Sequence, residues 1–216
     1  MTLSVDLFWS VRSPYSYLAT GRLVEINRTH DLDIVVRMVL PMAIRDPDFF
    51  KKANPLFGPY VLRDSRRVAE MQGIAFRWPR PDPVNMDMAT RVISPDQPHV
   101  HRLTRLGVDA AEQGRGLAFI DEMSRLIWNG DVDGWDQGDH LAKAAARAGL
   151  DLAAMEARVE ANPGHYTAAL DTNHAALEAA GHWGVPTLVF EGEPFFGQDR
   201  IELLLWRLRQ HGLSER

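Results

Sequence analysis

The sequence predicts an α/β protein in which a strand–helix–strand unit at the start and a strand–strand–helix unit at the end enclose a block of helices. Three observations predict it. Residues 3–9 alternate and lead into a helical pattern and then a β-branched run. A hairpin pattern stands at 186–196. Between the two, the spacing is that of helices and proline-rich loops.

Leu3, Val5, Leu7 and Trp9 alternate with Ser4, Asp6 and Phe8, as in a strand with at least one well-buried face. Ser13-Pro14 signals a turn. From Tyr15 to about Arg28 the apolar positions Tyr17, Leu18, Leu23, Val24 and Ile26 recur at helical spacing. Pro14 suits the first helical turn and Ser13 the N-cap. The run Ile34 to Leu40 then reads as a second strand, parallel to the first if the crossover has its usual right hand. Loops dominate from Pro41 to about Asn85, around one helical stretch at Tyr60–Gln72. Helical patterns follow at Pro98–Gln113, Leu117–Trp128, Gln137–Ala148, Leu152–Glu160 and Tyr166–Ala180. Pro186 to Phe190, a turn at Glu191-Gly192-Glu193 and Pro194-Phe195-Phe196 read as a hairpin, and Ile201–Arg209 as a closing helix. This order is a thioredoxin-like layout, βαβ…ββα, with an inserted all-helical domain. Residues 1–41 and 182–216 form the thioredoxin-like domain and 42–181 the insertion.

The 216 residues are 45% hydrophobic and 25% charged, with 24 Lys+Arg against 29 Asp+Glu and no cysteine. A chain of this length buries roughly 70% of its unfolded surface, so it needs neither disulfides nor a metal to hold a core. The net charge of −5 argues against nucleic-acid or anionic-membrane partners, which require a dense cationic surface. The missing cysteines exclude disulfide exchange, cysteine nucleophiles and thiolate metal sites. The first residues lack the pattern of a signal peptide, and no run approaches the roughly 18 apolar residues of a membrane span. The cytoplasm is therefore the expected compartment.

Three segments carry candidate chemistry. Ser13-Pro14-Tyr15-Ser16 stands where thiol–disulfide enzymes of this layout place Cys-x-x-Cys. A serine hydroxyl there performs no redox step, but it can hydrogen-bond an anion drawn to the helix N-terminus, and it can equally be a plain N-cap. In Gly184-Val185-Pro186-Thr187, a cis proline would leave the Val185 backbone free to pair with a peptide-like ligand. In Gly197-Gln198-Asp199-Arg200, Asp199 is either an N-cap or a carboxylate that grips an ammonium group.

Ser-Pro-Tyr-Ser-Tyr-Leu-Ala after the first strand, Gly-Val-Pro-Thr near the end and Phe-Phe-Gly-Gln-Asp-Arg about ten residues later resemble the 2-hydroxychromene-2-carboxylate isomerases. That family is akin to kappa-class glutathione S-transferases within the DsbA-like branch of the thioredoxin superfamily. The resemblance runs from about Val5 to Leu208. It is weaker in the middle, where Ala53-Asn54-Pro55-Leu56 keeps only the asparagine of the family's Gly-Asn-x-Pro-Pro, and Pro81 to Asn85 resembles Pro-x-Pro-Ile-Asn. It implies glutathione as cofactor, with Ser13 on its sulfur, Val185 and Pro186 on its cysteinyl part, and Gln198 and Asp199 on its γ-glutamyl end. Asn54 and Asn85 would face an aromatic or electrophilic small-molecule substrate, and Lys51 or Lys52 its carboxylate. Independently of the resemblance, Tyr15 is a candidate aromatic wall and His182, just before the Gly-Val-Pro turn, a candidate substrate contact. Arg12 departs from the small or apolar residue usual before the serine. The resemblance further implies a homodimer. Its mechanism would be reversible addition of the glutathione thiolate to an intermediate of aromatic catabolism. The alternatives are a kappa-type transferase or peroxidase and a non-catalytic binding protein. No metal site is expected, since the eight histidines are scattered. Trp128, Trp135, Trp183 and Tyr60 are expected to pack a core, and Arg63, Arg66 and Arg67 to form a solvated helix face.

Overall fold

A computed structural model describes residues 2–87 and 89–216. In chain order the strands are β1 (Leu3–Trp9), β2 (Leu32–Met38), β3 (Thr187–Phe190) and β4 (Glu193–Phe196). The helices are α1 (Pro14–Thr29), α2 (Met42–Arg45), α3 (Phe49–Lys52), α4 (Phe57–Gln72), α5 (Val100–Glu112), α6 (Gly116–Trp128), α7 (His140–Arg147), α8 (Leu152–Ala161), α9 (Pro163–Ala179) and α10 (Ile201–Gln210). The strands form one sheet in the order β2-β1-β3-β4, with β1 and β2 parallel and the other neighbours antiparallel. This is the thioredoxin fold expected from the βαβ and ββα units.

The alternation in the sequence maps onto the two faces of the sheet. Val5, Leu7 and Trp9 point into the main core, which continues through Leu18 and Leu23 of α1 and into α5 and α6. Phe8 points the other way, onto Val39 and Leu177. In β2, buried Leu32, Ile34, Val36 and Met38 alternate with more exposed Asp33, Val35 and Arg37. Helix α5 lies so close to β2 that a side chain at Gly107 would run into Met38, with a Cβ only 2.7 Å from its sulfur. One apolar core thus joins the sheet to the helices of residues 42–181.

Three local expectations need correction. The second strand spans residues 32–38, not 34–40: the Val39 N–H makes a last bond to the Trp9 carbonyl, and the Leu40 N–H turns away to His174 ahead of Pro41. The proline-rich stretch contains two single-turn helices, α2 and α3. Each is too short to show a period, and α2 begins directly after Pro41. Asp199 caps no helix. It lies inside a 3₁₀ turn, Gln198–Arg200, whose N-cap is Gly197.

Candidate functional site

The topology brings four chain positions to one edge of the sheet. β1 and β2 run parallel and end there, β3 starts there and β4 ends there. Ser13 follows β1, Leu40 and Arg45 follow β2, Val185 and Pro186 precede β3, and Gln198 and Asp199 follow β4.

Ser13 is the N-cap of α1, with Pro14 in the first turn. Its Oγ accepts the Ser16 N–H at 3.1 Å and donates to the Val185 carbonyl at 3.2 Å. Ser16 itself is fully buried, so of the two serines in the motif only Ser13 reaches the surface. The Val185–Pro186 bond is cis. The Pro186 carbonyl accepts the Gly197 N–H at 2.9 Å, which ties the proline loop to the Gln198–Asp199 turn. Among the described residues the Val185 N–H has no hydrogen-bond acceptor. Ser13, Val185, Pro186, Gln198 and Asp199, named from separate parts of the sequence, therefore form one group.

Gly197 adopts φ 110°, open to glycine, and a side chain there would also strike the Asp199 carboxylate folded back against it. Asp199 accepts from Arg200 at 2.7 Å, and Gln198 accepts from Gln72 at 3.0 Å. Tyr15 donates to Asp64 at 2.7 Å, and Tyr60 donates to the same carboxylate at 3.3 Å. Burial and the Asp64 carboxylate push the Tyr15 phenol well above its ordinary range, so it stays protonated.

Arg12 makes no hydrogen bond to Ser13 among the described residues and is turned away from solvent. It is 9% exposed, forms a two-pronged pair with Asp82 (2.8 and 2.9 Å), and lies over the rings of Phe50 and Trp78. It fastens the turn before Ser13 to the loop of residues 78–84.

His182 accepts the Gly184 N–H on Nδ1 at 2.9 Å, which leaves the ring proton on Nε2. Burial lowers its pKa below the ordinary histidine value. The ring stacks on Phe196 (4.0 Å between centroids) and Trp183 (5.6 Å), and Trp183 meets Phe49 of α3 at 5.8 Å. An aromatic line of Phe196, His182, Trp183 and Phe49 thus adjoins Gly184, the residue before Val185. Trp183 and Tyr60 are half exposed, contrary to the expected core packing, whereas Trp128 and Trp135 are fully buried.

Among the described residues the remaining substrate-side candidates make no hydrogen bond to this group. Asn54, after α3, is exposed, and its side chain accepts the Leu56 N–H. Asn85 is held by Gln97 and Asp96 and lines a different cavity of ≈ 670 Å³ with Met86, Val92 and Ile93. Lys51 pairs with Asp48 at 3.2 Å, and Lys52 with Asp46 at 3.9 Å. Sequence reasoning missed Arg45 and Asp64. Both are near the group only because α2 and α4 fold back onto the strand ends, and no local pattern announces that.

Comparison with known proteins agrees with this geometry. The family model of the DSBA-like thioredoxin domain matches residues 4–209. The 2-hydroxychromene-2-carboxylate isomerase of Sphingobium xenophagum is 27% identical over 207 residues, covering 94% of this chain and 97% of the relative. A solved 2-hydroxychromene-2-carboxylate isomerase superposes with TM-score 0.69 at 21% identity, covering 96% and 95% of the two chains. The cytosolic disulfide reductase DsbM from Pseudomonas aeruginosa, solved with GSH, superposes with TM-score 0.59 at 16% identity, covering 96% and 100%. With a sheet of this order, a capped helix after β1 and a cis proline before β3, the chain belongs to the DSBA-like thioredoxin domain family.

Proposed function

We propose that this protein is a glutathione-dependent isomerase of the 2-hydroxychromene-2-carboxylate type, acting in the cytoplasm on an aromatic substrate. The observation that carries the reading is the Ser13–Val185 contact in a chain without cysteine. A family whose usual work uses its own sulfur has, in this chain, a hydroxyl at the start of a 16-residue helix and must take its thiol from elsewhere.

The residues present fit glutathione. The Ser13 hydroxyl needs only to turn from the Val185 carbonyl to donate to a sulfur, and the helix N-terminus favours negative charge on that sulfur. The unclaimed Val185 N–H and the released Val185 carbonyl offer one donor and one acceptor, the pair a cysteinyl backbone requires. Asp199, more than half exposed, is suited to an ammonium group. Bound glutathione supplies a thiolate that adds to a conjugated carbon and leaves again unconsumed, so that rotation about the intervening bond becomes possible. Ser13 stabilises the ionised form, and Ser16, sealed in the core, keeps no second hydroxyl at the sulfur. Trp183 and Phe196, both partly exposed and stacked on His182, offer aromatic surface for a ring.

The test is incubation with 2-hydroxychromene-2-carboxylate, with and without glutathione. An isomeric product formed only with glutathione, and with the thiol recovered in full, is expected. A stable conjugate would make the protein a transferase of kappa type, and turnover without glutathione would overturn the cofactor assignment.

A further inference from the structure

Arg45 is an oriented cation that forms no salt bridge among the described residues. At the C-terminal end of α2, its Nε donates to the Leu40 carbonyl at 2.9 Å and its Nη2 to the Trp183 carbonyl at 2.8 Å. A guanidinium has five N–H donors, so three remain uncommitted. No carboxylate lies within salt-bridge distance of it among the described residues, whereas Arg12, Arg158 and Arg207 each hold one. Leu40 is fixed in turn, its N–H donating to His174 Nε2 at 2.8 Å, so the guanidinium sits on a braced support. It lines a groove of ≈ 550 Å³ together with Phe49 and Trp183.

The position of this groove is informative. Asp199 follows β4, the Ser13–Val185 pair lies at the ends of β1 and β3, and Arg45 follows β2 at the opposite margin of the same edge. Three strand spacings of about 4.8 Å separate β2 from β4, roughly 14 Å in all. An extended tripeptide reaches about 10 Å, and a γ-linked residue and a terminal carboxylate lengthen it. A peptide with its amino end at Asp199 and its sulfur at Ser13 must send its carboxyl end toward β2.

We propose that Arg45 binds the glycyl carboxylate of glutathione, completing a row of Asp199, Ser13–Val185 and Arg45 along the sheet edge. This rests on the glutathione reading above and adds the third anchor that reading lacked. Asp46, Asp171 and Glu178 also line the groove, so a free anion gains little there. A carboxylate already tethered at Ser13 and Val185 arrives at high effective concentration and needs only the uncommitted donors of the fork.

The test is calorimetric, on the full chain, with glutathione and with glutathione amidated at its glycyl carboxyl group. The wild type is expected to bind glutathione about tenfold more tightly than the amide, as for loss of one charge-assisted contact. Arg45→Met is expected to bind the two ligands equally, at the wild-type affinity for the amide. Arg45→Gln keeps a donor for the Trp183 carbonyl while removing the charge, and it should show the same loss of preference if Arg45→Met fails to fold. A tenfold preference that survives in these variants, both ligands being weakened alike, would make Arg45 only a brace for the Trp183 loop and overturn the assignment. Equal affinities in the wild type would overturn it too. Binding of neither ligand by the wild type would instead overturn the glutathione reading itself.

Discussion

Asp109 in the helical block and Ser13 at the sheet edge each anchor a polar cluster, and the two clusters are finished differently. The Asp109 carboxylate is 3% exposed and accepts from Arg158 twice, from the Tyr166 hydroxyl and from Gln113. Burial works against its charge, but these donors outweigh burial and hold its pKa below the usual carboxylate range. Its hydrogen bonds join α5, α8 and α9, and none is available to a ligand. At the sheet edge the Ser13 hydroxyl is lent to a carbonyl, the Val185 N–H has no acceptor among the described residues, and Arg45 keeps three donors in hand. A satisfied cluster stabilises the fold, whereas an incomplete one at the surface asks for a partner.

Substitutions should separate the two regions. The largest expected effect is on turnover. Ser13→Ala should slow isomerisation by roughly 10²–10³-fold, as for loss of one preorganised donor, while loss of the N-cap costs about 1 kcal/mol of stability. Steady-state kinetics and urea denaturation on the same preparation check both. Asp109→Ala should do the reverse. It should lower stability by about 2–3 kcal/mol, less than for a fully buried pair because Arg158 is 45% exposed, and leave glutathione affinity unchanged. A matching loss of affinity would show that the two regions are coupled. Asp199→Asn should weaken glutathione about tenfold by calorimetry, and an unchanged affinity would remove Asp199 from the site.

The smallest effect concerns pH. His174 accepts the Leu40 N–H, and burial, followed by the nearby Arg45, lowers its pKa below the ordinary value of about 6.5. Below that value the unfolded chain takes up a proton that the native ring resists. Stability is therefore expected to fall as pH drops below about 6.5, with a slope of at most about 1.4 kcal/mol per pH unit. His174→Gln should flatten this slope in denaturation curves recorded between pH 7 and pH 5.

Much of this was legible in the sequence because it is local. The alternation of β1, the Ser13-Pro14 cap and the hairpin at 186–196 depend on residues a few positions apart, and the structure reproduces each of them. The grouping of Ser13, Val185 and Asp199 followed from matching motif order to a fold. What stayed hidden depends on distant partners. Nothing near Arg12 reveals that it meets Asp82, 70 residues on. Trp183 and Tyr60 read as core residues by their size, yet they border the site, since exposure depends on what packs above them. Arg45 sits in a single helical turn without periodicity, and only the crossover from β2 brings its guanidinium to the Trp183 carbonyl.

The central claim is that the Ser13 turn holds a borrowed thiol in ionised form. Titrating the ultraviolet thiolate absorbance of glutathione bound to the protein tests it most directly. The expected result is a bound thiol at least one pH unit more acidic than a free cysteine-type thiol at about 8.5, returning toward that value in Ser13→Ala. A bound thiol with the pKa of free glutathione, or one equally acidic in Ser13→Ala, would contradict it.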